Sequence, residues 1–283
     1  MAAPVAIVTD STCSIPKEYL EKYKICVIPQ ILIWEGETLL DGIDIQVTDF
    51  YNRLAQSNSN PTTSQATIAS FKKVFDEVLE EGYDILAILI SQKLSGTIES
   101  ANQAKVLLPD APIEIVDSNS ISMAMGFQIL SVAYAASEGA SLSECKLLAE
   151  KAIPHTGVAI AVDTLEYLHR GGRIGGGARF LGTALNIKPI LEVVDGRVEP
   201  VERVRTRKKS LSRLVDLIAE RVGDRKPVRL AGLHANAPED ARGLLEMAVG
   251  RLDSVEQVFT EVSPVVGAHA GPGTVGLAYM AGI

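Results

Sequence analysis

The 283-residue chain is long enough for one large domain or two modest ones, because domains commonly contain about 100–200 residues. Hydrophobic residues make up 47% and charged residues 22%, the balance of a globular protein that buries a sizeable core. The 35 acidic residues outnumber the 27 basic ones, and the net charge of −8 argues against a nucleic-acid partner and against stable anchoring to an anionic membrane.

The sequence predicts a cytoplasmic protein without metal. The N-terminal segment MAAPVAIVTDST lacks the basic and apolar regions of a signal peptide, and no run reaches the ~18 apolar residues of a membrane helix. Cys13, Cys26 and Cys145 are widely spaced and form no C-x-x-C pair, so we expect buried thiols in a reducing compartment. The four histidines are scattered without metal-ligand spacing.

Short β-branched apolar runs predict buried parallel strands along the whole chain. In order, these runs are Val5–Val8, Ile25–Ile33, Ile85–Ile90, Ile113–Val116, Val158–Val162, Pro189–Val194, Val228–Leu233 and Val255–Val262. Helical spacing of apolar residues predicts a helix from about Thr67 to a stop at Gly82, and another that Gly223 closes. Ser141 and Glu144 have the spacing of a capping box at the start of a third helix.

Strands that alternate with helices predict an α/β fold, with two α/β domains whose mostly parallel sheets are flanked by helices. The sequence HRGGRIGGG at 169–177 is the clearest interruption, and α/β patterns precede and follow it. We expect the domain boundary near residues 155–160, which gives domains of residues 1–157 and 158–283.

Polar clusters follow several predicted strands or open helices, at the positions where α/β sheets bind ligands. They are TDST at 9–12, NPTTSQ at 60–65, SQKLSGT at 91–97 and DSNS at 117–120. Any one cluster is a common helix cap, but four at one edge favour a binding site. Hydroxyls and free N–H groups at helix N-termini hold anions, so the residues alone predict a ligand with an anionic tip.

Other motifs carry less weight. GPGTVG at 271–276 matches a dinucleotide fingerprint, but only seven residues follow it, too few for the rest of the βαβ unit. The glycine-rich segment at 171–177 is interpreted as a flexible surface loop rather than a phosphate cradle. The basic run at 203–209 is consistent either with a solvated helix start or with anion or partner binding.

Taken together, the segments resemble the DegV family, whose fatty-acid-binding members are called FakB. The matching pieces, in the family's order, are VTDST at 8–12, PTTSQ at 61–65, SQKLSGT at 91–97, VDS at 116–118, DTLEYL at 163–168 with RGGRIG at 170–175, LNIKPI at 185–190 and VGAHAGPGTVG at 266–276. Departures are Ala66, where proline is usual, and three consecutive glycines at 175–177. The resemblance implies a two-domain α/β fold with a buried acyl chain.

The resemblance also implies a ligand site. A fatty-acid carboxylate would be held by Thr63 of the T-S-Q motif and by Ser95 of the S-G-T motif. The expected ligand-binding set adds motif neighbours and two residues of the surrounding polar network: Thr62, Ser64, Gly96, Thr97, Arg205 and His269. The N-terminal domain would supply the carboxylate loops, and the C-terminal domain would complete the acyl pocket.

A partner is implied as well. Arg170 and Arg173 match residues of a docking surface for a fatty acid kinase that resembles dihydroxyacetone kinases and makes an acyl phosphate on the bound lipid. The chain itself would be a carrier without catalytic residues or a cofactor. Two enzyme hypotheses stay open: a dihydroxyacetone-kinase-like subunit that holds a ketone on His269, and a small hydrolase that uses Ser95.

Overall fold

The computed structural model describes residues 3–57, 59–180 and 187–283. Its strands are β1 (Val5–Asp10), β2 (Cys26–Ile28), β3 (Ile31–Trp34), β4 (Glu37–Leu40), β5 (Thr62–Ser64), β6 (Asp84–Leu89), β7 (Ile113–Asp117), β8 (Thr156–Ala161), β9 (Lys188–Val194), β10 (Arg197–Val204), β11 (Val228–His234), β12 (Glu256–Glu261) and β13 (Val275–Ala281). Its helices are α1 (Lys17–Lys22), α2 (Val47–Gln56), α3 (Ile68–Glu80), α4 (Thr97–Val106), α5 (Ser122–Ser137), α6 (Leu142–Ala152), α7 (Glu166–Arg170), α8 (Arg207–Val222), α9 (Pro238–Leu252) and α10 (Pro264–Ala270). Short 3-10 helices span Ser11–Cys13, Ile153–His155 and Gly175–Phe180.

The first sheet has the order β2-β1-β6-β7, and all of its strands run parallel. Helices α3 and α4 cover one face, where Phe71 and Phe75 pack against the strands, and α5 and α6 cover the other. Because the strands are parallel, the polar clusters after β1, β6 and β7 share one edge, as the sequence predicted. The fourth cluster instead contributes β5, which belongs to a different sheet.

The second sheet corrects the expectation of mostly parallel sheets. Its order is β10-β9-β8-β13-β11-β12, and among these described strands only β11 and β12 pair in parallel. The reason lies in two connections. Asp195 and Gly196, both with positive φ, join β9 and β10 in a tight hairpin, and β13 returns antiparallel between β8 and β11. The α/β class with two packed α/β units is confirmed.

The predicted strand at residues 25–33 is also corrected. The chain turns at Pro29 and Gln30, so β2 joins the first sheet while β3 joins a small antiparallel sheet of order β4-β3-β5. In this small sheet Leu32 pairs with Thr63, which places the T-S-Q motif on an edge strand. The run of nine residues at 25–33 therefore contributes one strand to each of two sheets.

The predicted helices are confirmed with their caps. The Thr67 side chain accepts a hydrogen bond from the Ser70 N–H at the start of α3, and Ser141 and Glu144 form the full capping box of α6. Gly223 closes α8 with positive φ. These ends agree with the local capping rules from which they were predicted.

Helix α5 lies between the two large sheets and packs against β1, β6, β8 and β13. Most of its residues are buried, which suits a helix that is apolar on nearly all sides. The strands of the first sheet all precede residue 118, and those of the second all follow residue 155. The predicted boundary between residues 157 and 158 falls inside β8, and the division into domains 1–157 and 158–283 stays a prediction.

Candidate functional site

A cavity lies between the second sheet and the loops at the carboxyl edge of the first. One face of the second sheet forms much of its wall through Val158, Ile160, Leu191, Val193 and Leu233. Gly276 on β13 belongs to the same wall, and a Cβ there would come within 2.9 Å of Ile160 Cγ2. The mostly apolar lining with a few polar side chains is typical of a ligand pocket.

Polar side chains from both halves of the chain lie in or beside the cavity wall. Thr63 contacts His269, Arg173 contacts the backbone of the residue next to Ser95, and Gln65 packs against Gly96. Thr63, Ser64, Ser95, Arg173 and His269 all line the cavity. The structure therefore brings together the principal residues of the predicted carboxylate site.

His269 orients the Thr63 hydroxyl. The Thr63 Oγ1 and His269 Nε2 atoms are 2.7 Å apart. Burial, and then the nearby Arg173, lowers the pKa of His269 to about 4, so the ring is neutral at pH 7. Its Nδ1 is buried without a partner among the described residues, and a Cβ at Gly171 would come within 2.1 Å of it.

The tautomer of His269 follows from this environment. A proton on Nδ1 would be a buried donor without an acceptor, which is costly. We therefore assign the proton to Nε2, which donates to Thr63 Oγ1. The Thr63 hydroxyl proton is then free to donate into the cavity.

Ser95 belongs to a chain of buried polar groups. Its Oγ lies 2.8 Å from Thr97 Oγ1, and Gln30 Nε2 donates to the same Thr97 oxygen at 2.7 Å. Gln30 Oε1 in turn accepts the Ala66 N–H at 3.0 Å. Thr97 is fully buried and Gln30 is 2% exposed, whereas Ser95 lines the cavity. The buried Thr97 hydroxyl therefore holds the Ser95 hydroxyl through this hydrogen bond.

Helix α4 adds a backbone contribution. It begins at Thr97, directly after the exposed Gly96, and its N-terminus has no side-chain cap. The first N–H groups of an α-helix have no intrahelical acceptor, and the helix dipole favours an anion near them. Two hydroxyls and a helix N-terminus together suit a carboxylate without any cationic ligand.

The two arginines of the RGGRIG segment differ in position. Arg170 is exposed at the end of α7 and forms an ion pair with Glu166. Arg173 is half-buried in the cavity wall and donates to the Leu94 and Gly171 carbonyl oxygens at 3.0 and 2.8 Å. Arg173 therefore belongs to the pocket, which differs from the exposed docking position expected for it.

Four residues of the predicted ligand-binding set do not line the cavity: Thr62, Gly96, Thr97 and Arg205. Gly96 and Thr97 directly follow Ser95, which does line it. Thr62 is exposed on β5, and Arg205 is exposed between β10 and α8. The neighbouring Arg207 points inward instead, donating to the Gly273 carbonyl oxygen at 2.7 Å and to Asp240 at 2.7 Å. Residues 185 and 186 of the LNIKPI motif lie outside the described residues.

The three glycines at 175–177 are packed rather than loose where the structure describes them. A Cβ at Gly175 would lie 2.1 Å from the Val198 carbonyl oxygen, and one at Gly176 would lie 2.0 Å from a Glu199 carboxylate oxygen. The interpretation as a flexible surface loop is wrong for this part, because the segment closes against β10.

Sequence reasoning missed Gln30, and it included Asp10 only as a member of the TDST cluster. Asp10 is fully buried and accepts from the Ile90 N–H, the Thr12 N–H and the Thr12 hydroxyl, which fixes the loop after β1. Burial raises the pKa of Asp10. The available signal for Gln30 was a single amide beside proline within an apolar run.

The geometry argues against the Ser95 hydrolase hypothesis. Ser95 Oγ contacts Thr97, while His269 Nε2 contacts Thr63, so serine and histidine do not form a nucleophile-base pair. In the described chain no carboxylate orients His269 Nδ1.

Among residues 3–57, 59–180 and 187–283, no group of His, Cys, Asp and Glu could hold a metal ion. Within the same ranges, no helix has the length and apolar character needed to cross a membrane.

Comparison with known proteins places the chain in a family. Residues 4–282 match the family described as "Uncharacterised protein, DegV family". The chain belongs to the DegV family. A DegV domain-containing protein of Streptomyces coelicolor is 37% identical over 279 residues, covering 98% of each chain.

Solved DegV structures share the fold. A fatty-acid-binding DegV family protein from Thermus thermophilus superposes with a TM-score of 0.93 at 33% identity, over 98% of this chain and 99% of that one. DegV of Bacillus subtilis, described as a fatty acid binding protein, gives a TM-score of 0.89 at 32% identity, over 99% and 100% of the two chains.

Proposed function

We propose that this DegV protein binds a long-chain fatty acid, with its carboxylate at Thr63 and Ser95 and its acyl chain in the cavity. The observation that carries the proposal is a mostly apolar cavity with the hydroxyl-bearing side chains of Thr63 and Ser95 in its wall. Two DegV neighbours above 30% identity are described as fatty-acid-binding proteins, which supports the same ligand class.

The energetics suit a carrier. About 15 buried CH₂ or CH₃ groups at ~0.8 kcal/mol each contribute roughly 12 kcal/mol of transfer free energy before ordering costs. A micromolar complex needs only ~8 kcal/mol. The tail can therefore supply the affinity, and the hydroxyls and the α4 N-terminus need only orient the head group.

Lipid analysis tests this proposal. We expect organic extracts and native mass spectra of the purified protein to contain a C14–C18 fatty acid, and emptied protein to take up palmitate or oleate in equimolar amount. A covalent small adduct on a histidine would instead support the ketone-binding enzyme. Protein that is empty and takes up neither acid would contradict the proposal.

We further propose that the carrier presents the bound carboxyl group to a fatty acid kinase of the dihydroxyacetone-kinase type, and performs no catalysis itself. The kinase would transfer the terminal phosphoryl group of ATP to the carboxylate. Support comes from the exposed Gly96 and half-buried Ser95, which keep the head-group site near the surface, and from the exposed Arg170.

Arg170→Ala tests the docking step. An exposed guanidinium can reach carboxylates on a partner, so this variant should slow acyl-phosphate formation while keeping wild-type lipid affinity. Arg251→Ala is the matched control, since Arg251 is an exposed helical arginine that pairs with Asp216 at 3.2 Å. Equal effects of the two variants, or a loss of lipid binding at position 170, would contradict the assignment.

A further inference from the structure

We infer that Gln30 is a positioning residue that acts through Thr97 to fix Ser95 as a hydrogen-bond donor, and so makes the pocket select an ionised carboxylate over a neutral head group. The inference rests on the proposed function, because it assumes that the head group meets Ser95. Its observation is separate: the row of hydrogen bonds behind Ser95 begins at a backbone N–H, which can only donate.

The chain of hydrogen bonds starts at a group that can only donate. The Ala66 N–H is a backbone donor, and it lies 3.0 Å from the Gln30 side-chain oxygen. This contact identifies which end of the amide is oxygen, so the NH₂ group faces Thr97. Gln30 Nε2 then donates to Thr97 Oγ1 over 2.7 Å.

Thr97 determines which hydroxyl donates in the next hydrogen bond, the one with Ser95. Its hydroxyl is fully buried and already accepts from Gln30, so its own proton needs an acceptor. In the part of the chain that the structure describes, the contact that offers one is Ser95 Oγ at 2.8 Å. Thr97 therefore donates to Ser95, and the Ser95 proton is left for the cavity.

A donor at this point discriminates between head groups. A carboxylate is an acceptor only, and a hydrogen bond to a charged acceptor is worth more than one to a neutral acceptor. Each hydroxyl in the chain is polarised by the donor behind it, which strengthens the last donor in the row. A fatty alcohol gains less, because its oxygen is neutral and it can bind in either direction.

Paired ligands separate this role from a structural one. Kd would be measured at pH 7.5 for palmitate and for hexadecanol, with wild type, Thr97→Val, Thr97→Ser, Gln30→Met and the double variant Gln30→Met with Thr97→Val. Valine and methionine keep the shape but remove the hydroxyl or amide. Serine at 97 keeps the hydroxyl.

We expect Thr97→Val and Gln30→Met each to weaken palmitate binding about tenfold while hexadecanol binding changes less than about threefold. The double variant should bind palmitate no more weakly than the single variant with the lower affinity, because both substitutions interrupt the same row of hydrogen bonds. Thr97→Ser should keep the wild-type preference for the acid.

The inference would be overturned if Thr97→Val and Gln30→Met weakened binding of the acid and the alcohol equally, or left the preference for the acid unchanged. Additive losses of palmitate affinity in the double variant would overturn it too. In each case the proposed function would stand. Wild-type protein that binds no palmitate would overturn both. If one valine or methionine variant does not fold, the other still tests the relay, because each interrupts it alone.

Discussion

At the scale of single residues, Asp41 links three parts of the chain that lie near the proposed head-group site. Its carboxylate accepts from the Ser11 hydroxyl at 2.6 Å and from the Val265 N–H at 3.3 Å, in the first turn of α10. Its own N–H donates to the Gln30 carbonyl oxygen. Asp41 is 2% exposed, and burial raises its pKa to about 6, with a smaller contribution from the charge of Asp10.

This pKa predicts a pH-dependent difference between wild type and Asp41→Asn. A carboxyl group whose folded-state pKa lies above its unfolded value stabilises the fold more as the pH falls from 7 through 6 toward 3.8. We expect the free energy of unfolding of wild type, minus that of Asp41→Asn, to rise by about 1 kcal/mol between pH 7 and pH 5. Urea titrations at several pH values measure this difference.

Asp224→Asn is the control, because it removes one acidic charge from an exposed position after α8. The free energy of unfolding of wild type, minus that of Asp224→Asn, should change little over the same pH range. A constant difference for Asp41→Asn as well would mean that the buried carboxyl keeps an ordinary pKa.

At the scale of elements, the segment at 175–177 is held by its contact with β10. Gly175 has φ of +50° and no room for a Cβ against the Val198 carbonyl oxygen. Gly175→Ala should therefore lower the free energy of unfolding by about 2–4 kcal/mol, from left-handed strain and overpacking together.

Gly243→Ala provides the comparison for that variant. Gly243 lies within α9, and a methyl group there would have nothing within 4 Å, so alanine should stabilise the helix by about 0.5–1 kcal/mol. Thermal and urea unfolding of both variants show whether each substitution raises or lowers the free energy of unfolding. Wild-type stability for Gly175→Ala would show that the segment does not pack against β10 in solution.

The elements that the sequence predicted well are those whose ends carry local signals, such as α3, α6 and α8 with their caps. The strands that it missed lack a buried-strand pattern or overlap another motif. β10 is an edge strand with Pro200 and several charges, and β13 begins inside the glycine motif at 271–276. The Asp195-Gly196 pair is a local hairpin signal, but it indicates a strand only once its partner β9 is known to continue to that turn.

At the scale of the whole molecule, the candidate site lies where the two α/β units meet. Thr63 and Ser95 come from the first half of the chain, and His269 and Arg173 come from the second. The hairpin tip after β9 also holds the Ser95 loop, because Ser91 Oγ donates to the Gly196 carbonyl oxygen at 3.0 Å and Lys93 Nζ donates to that of Asp195 at 2.7 Å.

This assembly explains what the sequence could and could not predict about the site. The family motifs pointed to Thr63, Ser95 and His269, which the fold brings to one cavity. The cavity wall and the Gln30 relay depend on contacts between residues far apart in the chain, 67 positions for Gln30 and Thr97 and 206 for Thr63 and His269. No local periodicity encodes such contacts.

The separation of head-group hydroxyls from the apolar sheet wall predicts that their contributions to affinity are independent. Ser95→Ala removes a hydrogen bond to a charged acceptor and should cost about 1.5–3 kcal/mol of binding free energy. A ligand four carbons shorter loses roughly 3 kcal/mol of burial. Because the two changes share no partner, the loss of binding free energy for both together should equal the sum of the separate losses within about 0.5 kcal/mol in isothermal titrations.

Ser141→Ala controls for stability in this experiment, because Ser141 caps α6 through Glu144 outside the cavity. Losing that cap should lower the free energy of unfolding by about 1 kcal/mol and leave affinity for every ligand unchanged. A methyl ester should bind wild type more weakly than the acid and respond far less to Ser95→Ala, since its head group carries no charge. If the ester instead binds as tightly as the acid and Ser95→Ala leaves acid affinity unchanged, then Ser95 is a loop residue and the carboxylate lies elsewhere.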